Sequence, residues 1–263
     1  MHKAKGLIVK VSVAVAYLAM VVVNFMANYL PINGVTSGQV SDSYPNLFAP
    51  AGITFSIWGL IYLLLGIYTI YQFNCFNKKG KKNLDKLINK VGLYFIITSL
   101  ANILWIFSWH YDFIALSLLW IVIILVFLIK IIDTIKKEKL SRQERAFIFI
   151  PFTIYFGWIT VAVIANVTVF LVSIAWNGFG LSDIFWTIAI LIIATIIGLW
   201  RMFKDKSIFY GLVFIWAYIG IFIKNSNLDL NNIRNLDIMI AAVVCMAAFL
   251  VSFPLIIKAG KKN

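Results

Sequence analysis

Long apolar runs alternate with short polar connections along the chain. Each run has about the 17–25 residues that an α-helix needs to cross the hydrocarbon core of a bilayer. Unpaired backbone groups are too costly in lipid for an open strand, so the runs predict helices. We therefore predict an all-α integral membrane protein with eight spans. The predicted spans are residues 8–30, 51–73, 91–110, 113–135, 146–170, 184–201, 207–223 and 236–257.

Composition supports the same class of protein. Of 263 residues, 62% are hydrophobic and 13% are charged, whereas soluble domains are about half apolar and about a quarter charged. A chain of this length cannot bury so much apolar surface in an aqueous core, so lipid must cover most of it. The first run, from Val11 to Leu30, has the length of a span and no small-residue cleavage site follows it directly, so we read it as a retained helix and not as a signal peptide.

Basic residues define a predicted topology. If the eight spans alternate in direction, all but two of the 23 lysines and arginines lie on one side, and the exceptions are Lys224 and Arg234. Because such residues accumulate in cytoplasmic connections, we predict a multi-pass protein of the cell membrane with both termini in the cytoplasm. The net charge of +13 is divided among these short clusters instead of forming a basic stripe, which argues against nucleic acid as a partner. The predicted partner is the lipid bilayer.

The sequence has few residues for metal or catalytic chemistry. Cys75 and Cys245 form no CxxC or metal-type spacing, and we read both as free thiols. His2 is terminal and His110 falls in a predicted connection, which leaves metal or haem ligation poorly supported. Hydrolase, phosphate-binding and dinucleotide motifs are missing, and we identify no charged pair inside a span of the kind that moves ions. We predict no catalytic residue, no metal and no required cofactor, and therefore no enzyme.

Three of the predicted spans carry polar and aromatic residues at helical spacing. The pairs are Trp58 and Tyr62 in the second span, Asn102 and Trp105 in the third, and Trp158 and Asn166 in the fifth. Spacings of four, three and eight residues place each pair on roughly one side of its helix. Two other interpretations remain open: the asparagines can join neighbouring helices by hydrogen bonds, and tryptophans can form an interfacial belt, which Trp109 and Trp176 fit best.

The first outer connection, residues 31–50, is longer than a plain connector requires. It is polar but nearly uncharged, with Asp42 as its single acidic residue, and it contains Tyr44 and Phe48. Long loops of this kind often act as lids or binding loops. A passive surface loop is the alternative.

Three sequence blocks, in order, resemble the tryptophan-rich sensory protein family, also called the translocator protein or peripheral benzodiazepine receptor family. The blocks are PAGITFSIWGLIYLLLGI (50–67), LANILW (100–105) and PFTIYFGWITVAVIAN (151–166). The chain departs from the family pattern at Ile53, where the family often has tryptophan. It also has three additional residues between Pro151 and Trp158.

The resemblance covers residues 8–175, and spans six to eight have no counterpart in the five-helix family. It implies a five-helix bundle in residues 1–175 and a three-helix transmembrane extension in residues 176–263. The family binds tetrapyrroles and other bulky apolar ligands in a hydrophobic pocket beneath its first loop, and it often dimerises. The resemblance thus implies an apolar small-molecule ligand, such as a tetrapyrrole, and a homodimer.

Carried over by position, the family's ligand site gives a specific set of residues. The predicted ligand-binding residues are Trp58, Tyr62, Asn102, Trp105, Trp158 and Asn166, and the predicted lid residues are Tyr44, Pro45 and Phe48. Flat aromatic side chains suit a planar ligand, and a few amide or hydroxyl groups can orient it. We therefore predict a membrane ligand-binding or sensory protein with a site between spans two, three and five.

Two other functions remain open on the sequence alone. Three additional spans could complete the pathway of a small-molecule transporter, although we find no internal repeat and no ionisable residue at mid-span. The same spans could instead form the docking face of a membrane assembly subunit. Light-dependent porphyrin breakdown is implied only by resemblance to some family members, and no acid–base group supports it.

Overall fold

The computed structural model describes residues 2–73, 82–226 and 235–261. These residues form ten α-helices, short turns and no strand. The helices are α1 His2–Tyr29, α2 Ser37–Asp42, α3 Ile57–Tyr71, α4 Lys82–His110, α5 Ile114–Ile135, α6 Arg142–Glu144, α7 Ile150–Ser173, α8 Asp183–Asp205, α9 Ile208–Ser226 and α10 Leu236–Lys261. The predictions for Cys75 and Arg234 lie outside the described residues.

The predicted helical membrane protein is confirmed. Within the described ranges, eight helical segments are long and apolar enough to span a bilayer. They are Gly6–Gly34, Gly52–Tyr71, Leu84–His110, Ile114–Ile135, Arg142–Ser173, Asp183–Asp205, Ile208–Ser226 and Leu236–Lys258. Each overlaps one predicted span, because the apolar run of each helix is long enough to identify it without knowledge of its neighbours.

Several helix ends differ from the prediction. Residues 82–90, predicted as a connection, form the first turns of α4, and Asp85 there accepts a hydrogen bond from Lys10 Nζ at 3.2 Å. His110, predicted where the third span meets the outer connection, is the last residue of α4 and is buried. Its ring Nδ1 lies 2.8 Å from Ile106 O, within hydrogen-bonding distance. The N-terminal end of α4 therefore extends beyond the predicted span, and the polar groups at both of its ends have partners within the protein.

The chain forms two compact units, each built from two stretches of sequence. The first unit comprises Met1–Ser37 and Ile57–Ile159, and the second comprises Gly38–Ser56 and Thr160–Asn263. The division predicted at residue 175 rests on family resemblance and not on internal contacts, and it remains a prediction.

In the first unit, α4 packs against α1 and α5, and α1 also contacts α3. An aromatic triangle joins three of its helices. Tyr68 lies 5.8 Å from Phe95 and 4.7 Å from Phe152, and the two phenylalanines are 5.3 Å apart, all with their rings edge to face. This edge-to-face arrangement is the one that the charge distribution of aromatic rings favours.

In the second unit, α8, α9 and α10 pack against one another. Phe214 on α9 and Phe249 on α10 contact each other with ring centroids 5.4 Å apart. The 3₁₀ turn Gly52–Ser56 packs on α9. There, Gly220 O accepts a hydrogen bond from the Ala51 amide at 3.0 Å, so this early segment of the chain is tied to a late helix.

Candidate ligand-binding site

Five aromatic residues of the first unit form a group around Trp58, which we call the aromatic cluster: Trp58, Tyr62, Trp105, Tyr155 and Trp158. Tyr62 is half-buried and the other four are buried. The centroid of the Trp58 ring lies 5.5 Å from that of Tyr62, 5.9 Å from Trp105, 6.1 Å from Tyr155 and 6.2 Å from Trp158. Three helices, α3, α4 and α7, contribute to it. The rings pack against one another.

Helical spacing explains why these rings converge. Trp58 and Tyr62 are one turn apart on α3, and their rings are nearly parallel at 17°, which confirms the predicted stacking on one face. Tyr155 and Trp158 are three residues apart on α7, so they also project from one face. The exposed fractions of Trp58, Trp105 and Trp158 are 7%, 5% and 3%. These indoles therefore point into the protein and not toward lipid.

Polar atoms are buried within this apolar group. Tyr62 Oη, Tyr155 Oη, Asn102 Nδ2 and Trp105 Nε1 are inaccessible to solvent, and no described residue forms a hydrogen bond of ordinary geometry with them. The Asn102 amide and the Tyr155 hydroxyl interact only with each other, in a hydrogen bond whose geometry is poor. A buried polar atom without a partner costs about 1–3 kcal/mol, so two unpaired atoms beside a poorly aligned pair are an unusual feature of a packed helical core.

The oxygen of the Asn102 amide links α4 to α1. Asn102 Oδ1 accepts a hydrogen bond from Asn24 Nδ2 of α1 at 2.6 Å, and both residues are buried. Asn24 Nδ2 also donates to Met20 O at 2.9 Å. The interhelical contact that the sequence left open as an alternative is therefore present.

The structure brings five of the six predicted ligand-binding residues together and leaves one in the other unit. Trp58, Tyr62, Trp105 and Trp158 belong to the aromatic cluster, and Asn102 lies at its edge beside Tyr155. Asn166 is buried in the part of α7 that belongs to the second unit.

Sequence reasoning missed three contributors to this site: Tyr155, Asn24 and Tyr17. Tyr155 could have been found from its spacing of three residues to Trp158. Tyr17 donates a hydrogen bond to Tyr62 O at 2.8 Å, and it approaches α3 at Gly66, where an added Cβ would lie 2.7 Å from its hydroxyl. Neither Tyr17 nor Asn24 belongs to one of the three sequence blocks, so no local pattern indicated them.

The predicted lid residues belong to the second unit. Phe48 is 1% exposed, whereas Pro45 is exposed and Tyr44 is half-buried. Pro45 and Phe48 line a cavity whose other walls come from α7, α8 and the turn between them. A lid function for this loop remains a prediction.

The structure corrects two statements about polar and aromatic groups. Arg201 ends the predicted sixth span and Asp205 was predicted to follow it, but both lie within the last turns of α8 and are 3% and 4% exposed. Arg201 Nε donates to Asp205 Oδ2 at 2.6 Å, so a span helix does contain a buried charged pair. Trp109, for which an interfacial belt was left open as an interpretation, is 5% exposed and donates to Ser37 O at 3.1 Å.

Metal-binding chemistry has no evident site in the part of the chain that the structure describes, since no three His, Cys, Asp or Glu side chains there lie close enough to share an ion. The buried thiol of Cys245 is free and lies 3.9 Å from Leu191 O. The aromatic cluster gathers most of the side chains that the sequence predicts for an organic ligand.

The span helices and the buried aromatic cluster define a multi-pass α-helical membrane protein with aromatic groups gathered between its helices. The model of the family described as TSPO-like protein matches residues 10–254. The chain therefore belongs to the TSPO-like protein family. The match includes the last three spans, which corrects the limit at residue 175 that the sequence blocks had placed on the resemblance. No curated protein and no solved structure matches the chain significantly.

Proposed function

We propose that this protein binds a bulky, planar, largely apolar molecule of the tetrapyrrole class at the aromatic cluster. The observation that carries the proposal is the burial of four polar atoms among the rings: Tyr62 Oη and Trp105 Nε1 have no hydrogen-bond partner among the described residues, and Tyr155 Oη and Asn102 Nδ2 have only each other. Membership of the TSPO-like family supports a role in ligand binding or transport.

A planar ligand suits the physical character of this site. Aromatic rings offer large apolar faces and lose little conformational entropy on binding. The buried amide, hydroxyl and indole groups can donate hydrogen bonds to the carboxylates or ring substituents of such a ligand. The unsatisfied donors would then be paired, which fixes the orientation of the ligand and recovers their desolvation cost.

Binding requires the rings to move apart. The centroid distances of 5.5–6.2 Å around Trp58 are contact distances, so a ligand must replace ring–ring contacts with ring–ligand contacts. Each aromatic pair contributes about 0.5–1.5 kcal/mol beyond its buried area. A ligand that stacks on two rings offsets this cost, whereas a small molecule that separates the rings without stacking does not.

The test is titration of the full-length protein in detergent with protoporphyrin IX, followed by the absorbance of the porphyrin. We expect Trp58→Ala and Asn102→Ala to weaken binding by about tenfold or more, equivalent to about 1.4 kcal/mol. Tyr62→Phe removes one unpartnered hydroxyl and keeps the ring, and we expect a smaller loss. Trp200→Ala is the matched control, because it removes an indole that is 59% exposed on α8.

Porphyrin absorbance is the readout because it does not depend on the number of tryptophans in each variant. Thermal unfolding of every variant separates a lost contact from a lost fold. Equal affinity in the wild type, Trp58→Ala, Asn102→Ala and Tyr62→Phe would remove the aromatic cluster as the binding site.

Transport of the same class of molecule is a second candidate, favoured by the Arg201–Asp205 pair. Ionisable residues within a span often mark transport pathways, but this pair lies in the last turns of α8, where charge is less costly. In reconstituted vesicles, porphyrin accumulation that depends on a proton or sodium gradient would favour transport. Binding without accumulation would favour a sensory role.

A further inference from the structure

The second unit contains a cavity whose lining residues are distinct from those of the aromatic cluster. Its volume is about 260 Å³, and its walls are the 45–48 loop, the end of α7, the turn at 176–178 and the first turns of α8. All of these belong to the second unit. Pockets for drug-sized ligands measure about 300–1,000 Å³, so this cavity suits a small molecule and is too small for a tetrapyrrole.

Two indoles form one side of the cavity. The Trp176 and Trp186 ring centroids are 5.0 Å apart, with their planes at 59°. Trp186 Nε1 donates to Gly178 O at 2.9 Å. Gly178 has φ +61°, and a Cβ there would lie 3.1 Å from Trp186 Nε1. The turn therefore requires glycine at this position, and the hydrogen bond fixes the Trp186 ring before any ligand arrives.

The wall formed by the 45–48 loop is also held in place. Asn46 Nδ2 donates to Tyr44 O at 2.9 Å, and its Oδ1 accepts from the Ala49 amide at 2.8 Å. Asn225 Nδ2 donates to Leu47 O at 3.1 Å. Phe48 is thereby presented as a buried apolar surface of the cavity, which is a pre-organised binding wall.

One carboxylate distinguishes the cavity electrostatically. Among the acidic residues of the second unit, Asp42 pairs with Lys224 and Asp205 pairs with Arg201. Asp183, in the first turn of α8, lines the cavity and is exposed. No cation among the described residues pairs with it. The cavity therefore combines an unneutralised negative charge at its rim with aromatic and apolar walls.

We propose that this cavity binds a small organic cation, with an ammonium group between Asp183 and the indoles and an apolar body directed toward Phe48. Tryptophan is the aromatic side chain that attracts cations most strongly, and the carboxylate adds charge complementarity. The site is independent of the proposed tetrapyrrole site. A free ammonium compound and the choline headgroup of a lipid share this chemistry.

The experiment compares choline with its uncharged analogue 3,3-dimethylbutan-1-ol by isothermal titration calorimetry on the full-length protein in detergent. The two molecules have similar shapes, so the difference in affinity reports on charge. We expect the Kd of choline to be lower than that of the uncharged analogue by a factor of about ten or more.

Variants locate the site. Asp183→Asn should abolish the preference for choline, and Asp183→Glu should retain it. Asp237→Asn is the matched control, because Asp237 occupies the first turn of α10 and does not line the cavity. Trp186→Phe should weaken choline binding. Porphyrin binding should stay unchanged in all four variants, which separates this site from the aromatic cluster.

Lipid nanodiscs distinguish the two sources of the cation. If free choline does not bind, phosphatidylcholine should raise the thermal stability of the wild type relative to phosphatidylglycerol, and Asp183→Asn should abolish that difference. A stabilisation confined to phosphatidylcholine would assign the cavity to a lipid headgroup. Equal binding of choline and its uncharged analogue, together with no dependence on lipid headgroup, would overturn the proposal.

Discussion

At the scale of single residues, Asn102 combines two features that the sequence presented as alternatives. Its Oδ1 joins α4 to α1 through Asn24, which is a structural role. Its Nδ2 is buried and pairs only poorly with Tyr155 Oη, so it keeps hydrogen-bonding capacity for the proposed ligand. Substitution of Asn102 alone removes both, so its partner Asn24 is the better probe of the structural part.

Asn24→Ala should lower the free energy of unfolding by about 0.6 kcal/mol and by no more than about 1.7 kcal/mol, the range measured for hydrogen bonds between membrane helices. Porphyrin affinity should remain near that of the wild type, because Asn102 Nδ2 is untouched. Denaturation in detergent measures the first quantity and titration measures the second.

Asn28→Ala is the control for this prediction. Asn28 is exposed one turn further along α1 and bonds to Asn24 O within the same helix. An equal loss of stability in the two variants would mean that the contact between α1 and α4 contributes nothing measurable.

Arg201 and Asp205 show where residue patterns mislead. Four charges in the six residues 201–206 indicate a connection when hydropathy alone is considered. The spacing of four residues between Arg201 and Asp205 lets the side chains meet on one face of a helix, and the resulting pair at 2.6 Å is buried. The spacing was visible in the sequence, but its burial depends on neighbouring helices that the sequence does not identify.

At the scale of helices, close packing in the second unit depends on Gly198. A Cβ added there would lie 2.6 Å from Phe249 Cζ and 3.1 Å from Phe214 Cε1. Small residues allow membrane helices to approach closely. The sequence showed Gly198 in a span without a GxxxG motif, and only the structure identifies the aromatic rings that face it.

Gly198→Ala should destabilise the protein by about 1–3 kcal/mol, the usual cost of overpacking a filled core. Thermal unfolding of Gly198→Ala, Phe249→Leu and the double variant forms a cycle, and we expect the double variant to lose less than the sum of the single variants.

The same substitution at an open position provides the comparison. Gly59 lies in α3 with no atom within 4 Å of an added Cβ, so Gly59→Ala should be neutral or stabilising by up to about 1 kcal/mol. If Gly198→Ala behaves like Gly59→Ala, the packing of α8 against α10 is looser than described.

The helices differ in how far the sequence predicts them and their contacts. All eight spans were located because each long apolar run requires a membrane, independently of its neighbours. The convergence of Trp58, Trp105 and Trp158 was also predicted, because spacing and family resemblance agreed. The cavity beside Asp183 was not predicted, since its walls come from segments far apart in sequence.

At the scale of the whole molecule, the predicted orientation can be tested by labelling. In a chain with Cys75 and Cys245 replaced by alanine, a single cysteine is introduced at Phe179 or at Lys139, both of which are exposed. The Arg142–Ser173 segment separates the two positions by one span.

A membrane-impermeant maleimide added to intact cells should label Phe179→Cys and should label Lys139→Cys only after lysis, because basic connections favour the cytoplasm. Labelling of Lys139→Cys alone in intact cells would invert the topology. Labelling of both positions would contradict a span between them.

The discontinuity of the second unit has a consequence for biosynthesis. Its first stretch, Gly38–Ser56, leaves the ribosome before Thr160–Asn263 exists. Domains of nascent chains generally fold as units, N-terminal first, but this segment must wait for α9 before its Ala51 amide can bond to Gly220 O. A premature stop codon before α9 would therefore leave Gly38–Ser56, near the beginning of the polypeptide, without the helix against which it packs.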